Sequence, residues 1–261
     1  MVRTIKERYL LTAINKGSIS EINQAIQDGA TVNAKDNDGR TPLMFACDNE
    51  APKKVIELLI AKGANVNAKA NDGRTPLMVA CDNKASKEVI ELLIAKDANV
   101  NAKDNDGWTP LMFACDNKAS KEVIELLIAK GADVNAKTNA GQTPLMVACD
   151  NEAPKKVIEL LIAKGADVNA KTNAGQTPLM VALLYGAPKE VIELLKEAPF
   201  TALEANLAKS EQKNAKLEAD LEKSKQKIDE LTAQIAYNNF QAKKKEKQRM
   251  TKLMLGRFRH K

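Results

Sequence analysis

The sequence is poor in the residues on which catalysis depends. Aromatic residues make up 3% of its 261 positions, and the single histidine, His260, lies next to the C-terminus. Nucleophilic and acid–base catalysis need a nucleophile, a base and an orienting group in one place. No such set, phosphate-binding glycine loop or metal-ligand cluster can be assembled from the chain. The sequence therefore predicts a protein that is not an enzyme and uses no cofactor.

Long apolar runs are also absent. The N-terminal segment already carries charges at Arg3, Lys6, Glu7 and Arg8, so it holds no apolar stretch long enough for a signal peptide or a membrane span. We therefore expect a cytoplasmic location, with the nucleus or secretion into a host cell as alternatives.

Cysteines are few and evenly spaced. A disulfide or metal framework would show clustered spacings, whereas these cysteines recur at 34-residue intervals. Helices packed in neighbouring units lie about 8–10 Å apart, and bridged Cα atoms need about 4.4–6.8 Å. The spacing thus predicts free, buried thiols. They are Cys47, Cys81, Cys115 and Cys149.

The chain is built from a repeated unit. The motif TPLM begins at Thr41, Thr75, Thr109, Thr143 and Thr177, always 34 residues apart, and a fixed period of this length is typical of a solenoid. In the first copy, Thr41 followed by Pro42 predicts the start of a short helix that ends near Asp48. Pro52 opens a second, more apolar helix, which Gly63 ends. An exposed hairpin tip follows, with the sequence NDG at residues 71–73.

These motifs closely resemble the ankyrin repeat. The resemblance rests on the TPL start, the second helix VIELLIAKGA and the segment DVNAK, and it extends from about Glu7 to Phe200. It implies an all-α solenoid in which each repeat is a helix–turn–helix with a β-hairpin loop. The expected divisions are a capping repeat at 1–40, five repeats at 41–74, 75–108, 109–142, 143–176 and 177–200, a helix or coiled coil at 201–242 and a basic tail at 243–261.

Three features depart from the family. Met44 and its equivalents occupy the place of the family's histidine, so the hydrogen bonds of that histidine must be absent or replaced. The period is 34 rather than 33, and we place the extra residue in the connection between Asp48 and Ala51. Asp97 replaces the helix-ending glycine of the other repeats, which costs about 1 kcal/mol in the left-handed region. That repeat is expected to be the least stable.

Differences between the copies are concentrated at the hairpins and on the first helices. The resemblance implies that these columns form a concave surface that binds a protein partner. Trp108, in the third hairpin tip, is expected to be an exposed anchor for the partner, with local packing of the indole as the alternative. The predicted partner-binding residues are Asp38, Arg40, Phe45, Asp72, Arg74, Val79, Asp106, Trp108, Phe113, Gln142 and Gln176.

After residue 200 the apolar spacing changes. Thr201 and Glu204 form the pattern of a capping box that opens a new helix, and apolar residues then recur every three or four positions, as in a coiled coil. A single charged helix, or one that folds back on the repeats, is the alternative. Asn214 on the seam favours a parallel dimer. The predicted dimerisation residues are Asn214, Leu217, Leu221, Ile228, Leu231 and Ile235.

The last segment carries the net positive charge. Residues 243–261 contain nine Lys or Arg and one Glu, a local charge of +8, which leaves about −2 on the rest of a chain whose net charge is +6. This composition suits nucleic acid, an anionic membrane surface or an acidic partner, and a disordered, solvated tail is the alternative. The predicted polyanion-binding residues are Lys243, Lys244, Lys245, Lys247, Arg249, Lys252, Arg257 and Arg259.

Two functions follow from these features. The first is a non-catalytic scaffold that binds a protein through its repeats, with a C-terminal helix for dimerisation or tethering. The second is a protein that binds nucleic acid or an anionic membrane surface through its tail, with the repeats as a spacer.

Overall fold

The computed structural model describes residues 4–257, with side chains at positions 4–198 and at most positions from 210 to 249. These residues form helices and turns, and no strand occurs among them. The chain divides into two compact units, Met1–Pro199 and Phe200–Lys261. Each unit is described by itself below.

Successive helices pair into repeats. The pairs are α1 (Ile5–Lys16) with α2 (Ile19–Gln27), α3 (Pro42–Asp48) with α4 (Lys53–Ala61), α5 (Pro76–Asp82) with α6 (Lys87–Ala95), α7 (Pro110–Asp116) with α8 (Lys121–Ala129), α9 (Pro144–Asp150) with α10 (Lys155–Ala163), and α11 (Pro178–Leu184) with the start of α12 (Lys189–Arg257). Each first helix packs on the first helix of the next repeat, and each second helix does the same as far as α10. The predicted all-α solenoid with a long C-terminal helix is confirmed.

The first helix of each TPLM repeat starts as the sequence predicts. In α3, the Thr41 hydroxyl accepts a hydrogen bond from the Met44 backbone N–H at 3.4 Å, and Pro42 occupies the first helical position, where no N–H is needed. The Met44 sulfur lies 3.5 Å from the Thr41 backbone N–H, which donates to it. A weak sulfur acceptor thus stands in for the hydrogen bond expected from the family's histidine.

The second helix supplies the core between repeats. Val55, Ile56 and Leu59 of α4 are fully buried, and the helix ends at Ala61 shortly before Gly63, whose φ of 88° is left-handed. Glycine has no Cβ to oppose this conformation. The predicted position and end of this helix are confirmed.

Several residues other than glycine also adopt left-handed backbone. Asp97 has a φ of 64°, as its position predicted, and residues in the connection after each first helix have φ between 49° and 54°. Each conformation costs about 1 kcal/mol or more relative to glycine. Gly186 occupies the equivalent position in the last repeat, with a φ of 71°. The strained residues of this column are Glu50, Lys84, Lys118 and Glu152.

The prediction of a new helix at Thr201 is wrong. α12 continues without a break from Lys189 through Pro199 and Thr201 to Arg257. A proline inside a helix loses one hydrogen bond and costs about 3 kcal/mol. Good helix formers on both sides, such as LLKEA before Pro199 and ALEANLAK after Thr201, favour continuation and offset that cost.

The two ends of the repeat stack differ. In the N-terminal repeat, Gln24 is exposed at a position where the internal repeats have leucine. In the last repeat, Met180, Leu183 and Leu184 of α11 and the following Tyr185 are exposed by 52–64%. None of the helices within residues 4–257 is both long enough and apolar enough to cross a membrane.

Candidate functional site

The hairpin after each second helix is a tight turn closed by two backbone hydrogen bonds. In the first tip, Gly39 N–H donates to Asp36 O at 3.0 Å and Asp36 N–H donates to Arg40 O at 3.1 Å. Gly39 has a φ of 76°, the left-handed conformation that commonly closes a three-residue hairpin loop. The tip therefore has defined geometry although its residues form no strand.

Neighbouring tips are joined by an asparagine ladder. The backbone N–H of Asn71 donates to Asp38 O at 2.9 Å, and its side-chain amide donates to Asn37 O at 2.9 Å. The same pair of bonds recurs at Asn105, Asn139 and Asn173. These bonds hold adjacent tips at a fixed spacing, so side chains one repeat apart form a continuous surface.

Two further columns link successive repeats behind the tips. The Asn33 amide donates to Gly63 O at 2.8 Å, and its oxygen accepts from Asn65 N–H at 2.8 Å. The Lys35 ammonium donates to Lys69 O at 2.8 Å. Equivalent bonds recur along the stack. The asparagine and lysine of VNAK are therefore fixed by the fold rather than by a partner.

Variation at the first tip position also has a structural reason. Asp104 Oδ1 accepts from the backbone N–H of Trp108 at 2.7 Å, and in the next tip the Thr138 hydroxyl accepts from Gln142 N–H at 3.1 Å. Where this position is Ala70, Asp72 accepts from Arg74 N–H instead. Asp and Thr at this position thus cap the turn locally. The differences between the copies alone place this column with the partner-binding columns.

Each tip is a run of five residues: 36–40, 70–74, 104–108, 138–142 and 172–176. We call the third and fifth residues of every tip, together with the column on the first helices that begins with Phe45, the tip surface. It contains all eleven residues predicted to bind a partner, and they differ in exposure. Val79 and Phe113 are buried, contrary to their expected place on an open surface. The Arg74 guanidinium and the Trp108 ring both lie against the Phe113 ring. Asp38, Arg40, Asp72 and Asp106 are exposed, while Phe45, Arg74, Trp108, Gln142 and Gln176 are half-buried.

The centre of the tip surface is a cluster built on Arg74. Its guanidinium forms an ion pair with Asp82 at 2.7 Å and lies 4.6 Å from the centre of the Phe113 ring. The Phe113 ring in turn lies 5.3 Å from the Trp108 ring, centre to centre, at an angle of 43°. We call Arg74, Asp82, Phe113 and Trp108 the central cluster. Arg74, Phe113 and Trp108 therefore lie side by side on the tip surface.

The expected full exposure of Trp108 is wrong. The indole is half-buried and packs against the core, because Phe113 on the adjoining helix offers an aromatic face that an indole prefers to water. The packing alternative therefore accounts for part of its surface. The remaining part of the ring is open to a partner.

Charge changes along the tip surface. In the first two tips, Arg40 and Arg74 form ion pairs with nearby aspartates. The third and fourth repeats have no arginine at that position, and burial raises the pKa of both Asp116 and Asp150 above the usual carboxyl range, with repulsion from the preceding aspartate adding to it. Asp116 also accepts a hydrogen bond from Asn151. The third and fourth tips thus have no arginine–aspartate ion pair of the kind that Arg40 and Arg74 form in the first two.

The four cysteines are free and buried, as predicted. Burial raises the pKa of Cys47 and Cys149 to about 12 and raises that of Cys81 and Cys115 further. A thiol that stays protonated is a poor nucleophile and metal ligand. These residues are packing groups within the first helices.

The second unit carries the remaining predicted residues. The six seam residues from Asn214 to Ile235 are all exposed on α12, and so are Lys243, Lys244, Lys245 and Arg249. The side chains of Lys247, Lys252 and Arg257 are outside the described residues, and Arg259 lies wholly outside them.

Comparison with known proteins gives two matches. A family model described as ankyrin repeats (3 copies) matches residues 5–70, 53–138 and 121–206. Ankyrin repeat domain-containing protein 49 from Drosophila melanogaster is 52% identical over 44 residues, which are 16% of this chain and 20% of that protein. The match thus spans about a fifth of the relative.

Proposed function

Because the chain belongs to the ankyrin repeat family, we propose that it is a non-catalytic scaffold that binds a protein partner through its tip surface. Ankyrin repeats generally mediate protein–protein interaction, and the family is generally non-catalytic. The helix of the second unit is proposed to dimerise or tether the scaffold.

One observation carries the assignment to the tip surface. The hydrogen-bonded columns account for the asparagine and lysine of VNAK and for the asparagine of each tip, which do not differ between the repeats. The third and fifth tip residues differ between repeats, and their side chains are exposed or half-buried. Residues that the fold leaves free to vary on a rigid surface are those that can provide specificity.

The central cluster is the proposed focus of binding. Binding energy is usually concentrated in a few Trp, Tyr and Arg residues near the centre of an interface. Trp108 and Arg74 already contact the Phe113 ring, so little side-chain freedom remains to be lost on binding. Preordered contact residues of this kind lower the entropic cost of association.

The test uses the full chain as bait in a cell extract. In one variant, three exposed tip aspartates are replaced by alanine (Asp38, Asp72 and Asp106). The matched control replaces three exposed glutamates at the same 34-residue spacing on the second helices (Glu57, Glu91 and Glu125).

The proposal predicts a protein captured by the wild type and by the control but lost or much reduced with the tip variant. Equal capture by both variants, with unchanged thermal stability, would place the binding site elsewhere on the chain. Loss with the control alone would assign it to the second helices.

A second candidate function rests on the basic tail. Lys243, Lys244, Lys245 and Arg249 are all exposed within one helix of the second unit, and phosphate contacts of such side chains release counterions. On duplex DNA, each neutralised phosphate contributes a slope of about −0.9 in log K against log salt. The chain without residues 243–261 should then lose DNA binding and its salt dependence. Unchanged binding by the truncated chain would exclude the tail as the site.

A further inference from the structure

Helix α12 carries an apolar stripe that no described residue covers. Leu217, Leu221, Ile228, Leu231 and Ile235 are each exposed by 55–61%, and they follow one another at spacings of 4, 7, 3 and 4 residues. A repeat averaging 3.5 residues keeps such a stripe on one side of two supercoiled helices. The stripe is therefore an unpartnered helix face of the kind that a second helix covers.

The residues beside the stripe have complementary charges. In the heptad notation of coiled coils, Asn214, Leu221, Ile228 and Ile235 are at position a, and Leu217 and Leu231 are at position d. In a parallel, in-register pair, each residue at g faces the residue five positions later, at e, on the other helix. The facing pairs are Lys213 with Glu218, Asp220 with Lys225, and Lys227 with Thr232.

Two of these pairs join opposite charges, and none joins like charges. Within a single helix, Asp220 lies 3.9 Å from Lys223, and Lys225 lies 3.5 Å from Glu222, measured between the charged atoms. Such exposed ion pairs within a helix contribute little. Asp220 and Lys225 can therefore turn to a facing helix at small cost.

An antiparallel pair could also match these charges in one register. There, Glu218 would face Lys225 of the second copy, so charge alone does not fix the direction. The core residues fix the direction, because the antiparallel register places Asn214 opposite Leu231, where the Asn214 amide has no hydrogen-bonding partner. In the parallel register Asn214 faces Asn214, and the two amides can bond to each other.

The other core positions agree with a parallel pair. Isoleucine at position a with leucine at position d favours two-stranded parallel coils, and residues 228–235 follow this pattern. Two polar residues occupy position d: Asn238, whose side-chain oxygen accepts a hydrogen bond from the Gln234 amide at 3.2 Å, and Ser224. Its hydroxyl donates to the Asp220 carbonyl of its own helix at 2.9 Å, so it needs no partner across the seam.

We propose that residues 213–239 pair with the same residues of a second copy of this chain as a parallel, in-register, two-stranded coiled coil. The proposal rests on the proposed role of this helix in self-association and adds the partner, the direction and the register. The pairing ends before Lys245, which falls at position d and would face its own copy. The basic segments that follow are thereby brought side by side.

Cross-linking of cysteine variants tests the direction. In the parallel pair, position 217 faces position 217, so full-length Leu217→Cys should form a covalent dimer under mild oxidation. In the antiparallel register, position 217 faces position 228, and only a mixture of the Leu217→Cys and Ile228→Cys chains would form the 217–228 link. The native cysteines are buried and free, so the wild-type chain is the control and should stay uncross-linked.

Charge reversal tests the register without changing the core. Glu218→Lys should weaken the dimer roughly tenfold, because two attractive pairs become repulsive. Adding Lys213→Glu should restore the affinity in the parallel register only, whereas Lys225→Glu would restore it in the antiparallel register. Glu230→Lys makes the same charge change away from the seam and should leave the affinity nearly unchanged.

The outcomes separate this proposal from partner binding by the repeats. A covalent Leu217→Cys dimer, together with rescue by Lys213→Glu, supports the parallel coil. Cross-linking only in the mixture, or rescue only by Lys225→Glu, overturns the direction but leaves self-association in place. A monomeric wild-type mass at high micromolar concentration overturns self-association itself, while capture of a protein by the tip surface is measured independently.

Discussion

The contact between neighbouring tips can be tested with two glycines in the same hairpin position. Gly141 and Gly175 have φ values of 81° and 78°, so alanine at either site is strained by about 1–2 kcal/mol. A Cβ on Gly141 would lie 2.9 Å from the backbone nitrogen of Asn173, whereas a Cβ on Gly175 meets nothing within 4 Å. The two sites therefore share the strain and differ in the clash.

The clash sets the size of the difference. The clash with the added Cβ is relieved only if the Asn173 backbone moves. Asn173 donates two hydrogen bonds to the neighbouring tip, from its backbone N–H to Ala140 O at 3.0 Å and from its side-chain amide to Asn139 O at 2.9 Å. A typical hydrogen bond contributes about 0.5–1.5 kcal/mol net. We therefore expect Gly141→Ala to reduce the free energy of unfolding by about 1–3 kcal/mol more than Gly175→Ala does.

The assay is denaturant unfolding followed by circular dichroism, with slopes compared to confirm that each variant unfolds in the same way. Gly131→Ala and Gly165→Ala are matched controls in the same two repeats, with φ of 92° and 90° and open space around both Cβ positions. They should be destabilised equally. If the Gly141 and Gly175 variants also lose equal stability, the tip ladder contributes nothing to the stack.

Four other predictions concern strain, aromatic packing, charge and thiols. Asp97→Gly should raise the free energy of unfolding by up to about 1 kcal/mol, because it relieves a left-handed residue; a loss of stability would refute the strain. Trp108→Ala should lower the thermal midpoint of unfolding, because the indole packs on the Phe113 ring with 5.3 Å between ring centres. An unchanged midpoint would show that this packing does not contribute to stability. Burial raises the pKa of Asp150, so its ionised form is disfavoured in the fold and folded-state stability rises as the pH falls through that pKa. Asp150→Asn should therefore stabilise the chain at neutral pH, with a gain in denaturant midpoint that shrinks in acid; a gain independent of pH would contradict the charge argument. The four cysteines should react slowly with a thiol reagent until denaturant is added, and fast labelling of the native chain would show that the first helices are packed differently.

Much of the fold could be predicted from the sequence because its signals are local and repeated. Thr41 followed by Pro42 fixes a helix start by capping and by a constrained φ, and Gly63 fixes a helix end. The continuation of α12 through Pro199 was not predicted. Thr201 and Glu204 match the pattern of a helix start, whereas the helix formers on both sides of Pro199 favour one continuous helix.

The left-handed backbone at Glu50 could have been predicted from the sequence, because the last repeat has a glycine, Gly186, at the equivalent position. The capping role of Asp104 and Thr138 was harder to find. It depends on a hydrogen bond that the side-chain oxygen accepts from the backbone N–H of the fifth tip residue. Asp and Thr both have such an oxygen, although their side chains differ in shape and charge. Variation between copies could not separate a cap from a binding residue.

The candidate site was predicted in outline only. The columns that form the tip surface were identified from the differences between the copies. Exposure was predicted less well: Phe113 and Val79 are buried, and Arg74 of the preceding tip lies over the Phe113 ring. Such cover depends on how close the repeats pack, which a single repeat does not encode.

The central claim, that a protein partner binds on the tip surface, is tested most directly by hydrogen exchange of the complex with the captured protein. The account predicts slower exchange on binding at the tips, residues 36–40, 70–74, 104–108 and 138–142, and unchanged exchange in the second helices. Protection confined to the second helices, or to α12 beyond residue 200, would contradict it.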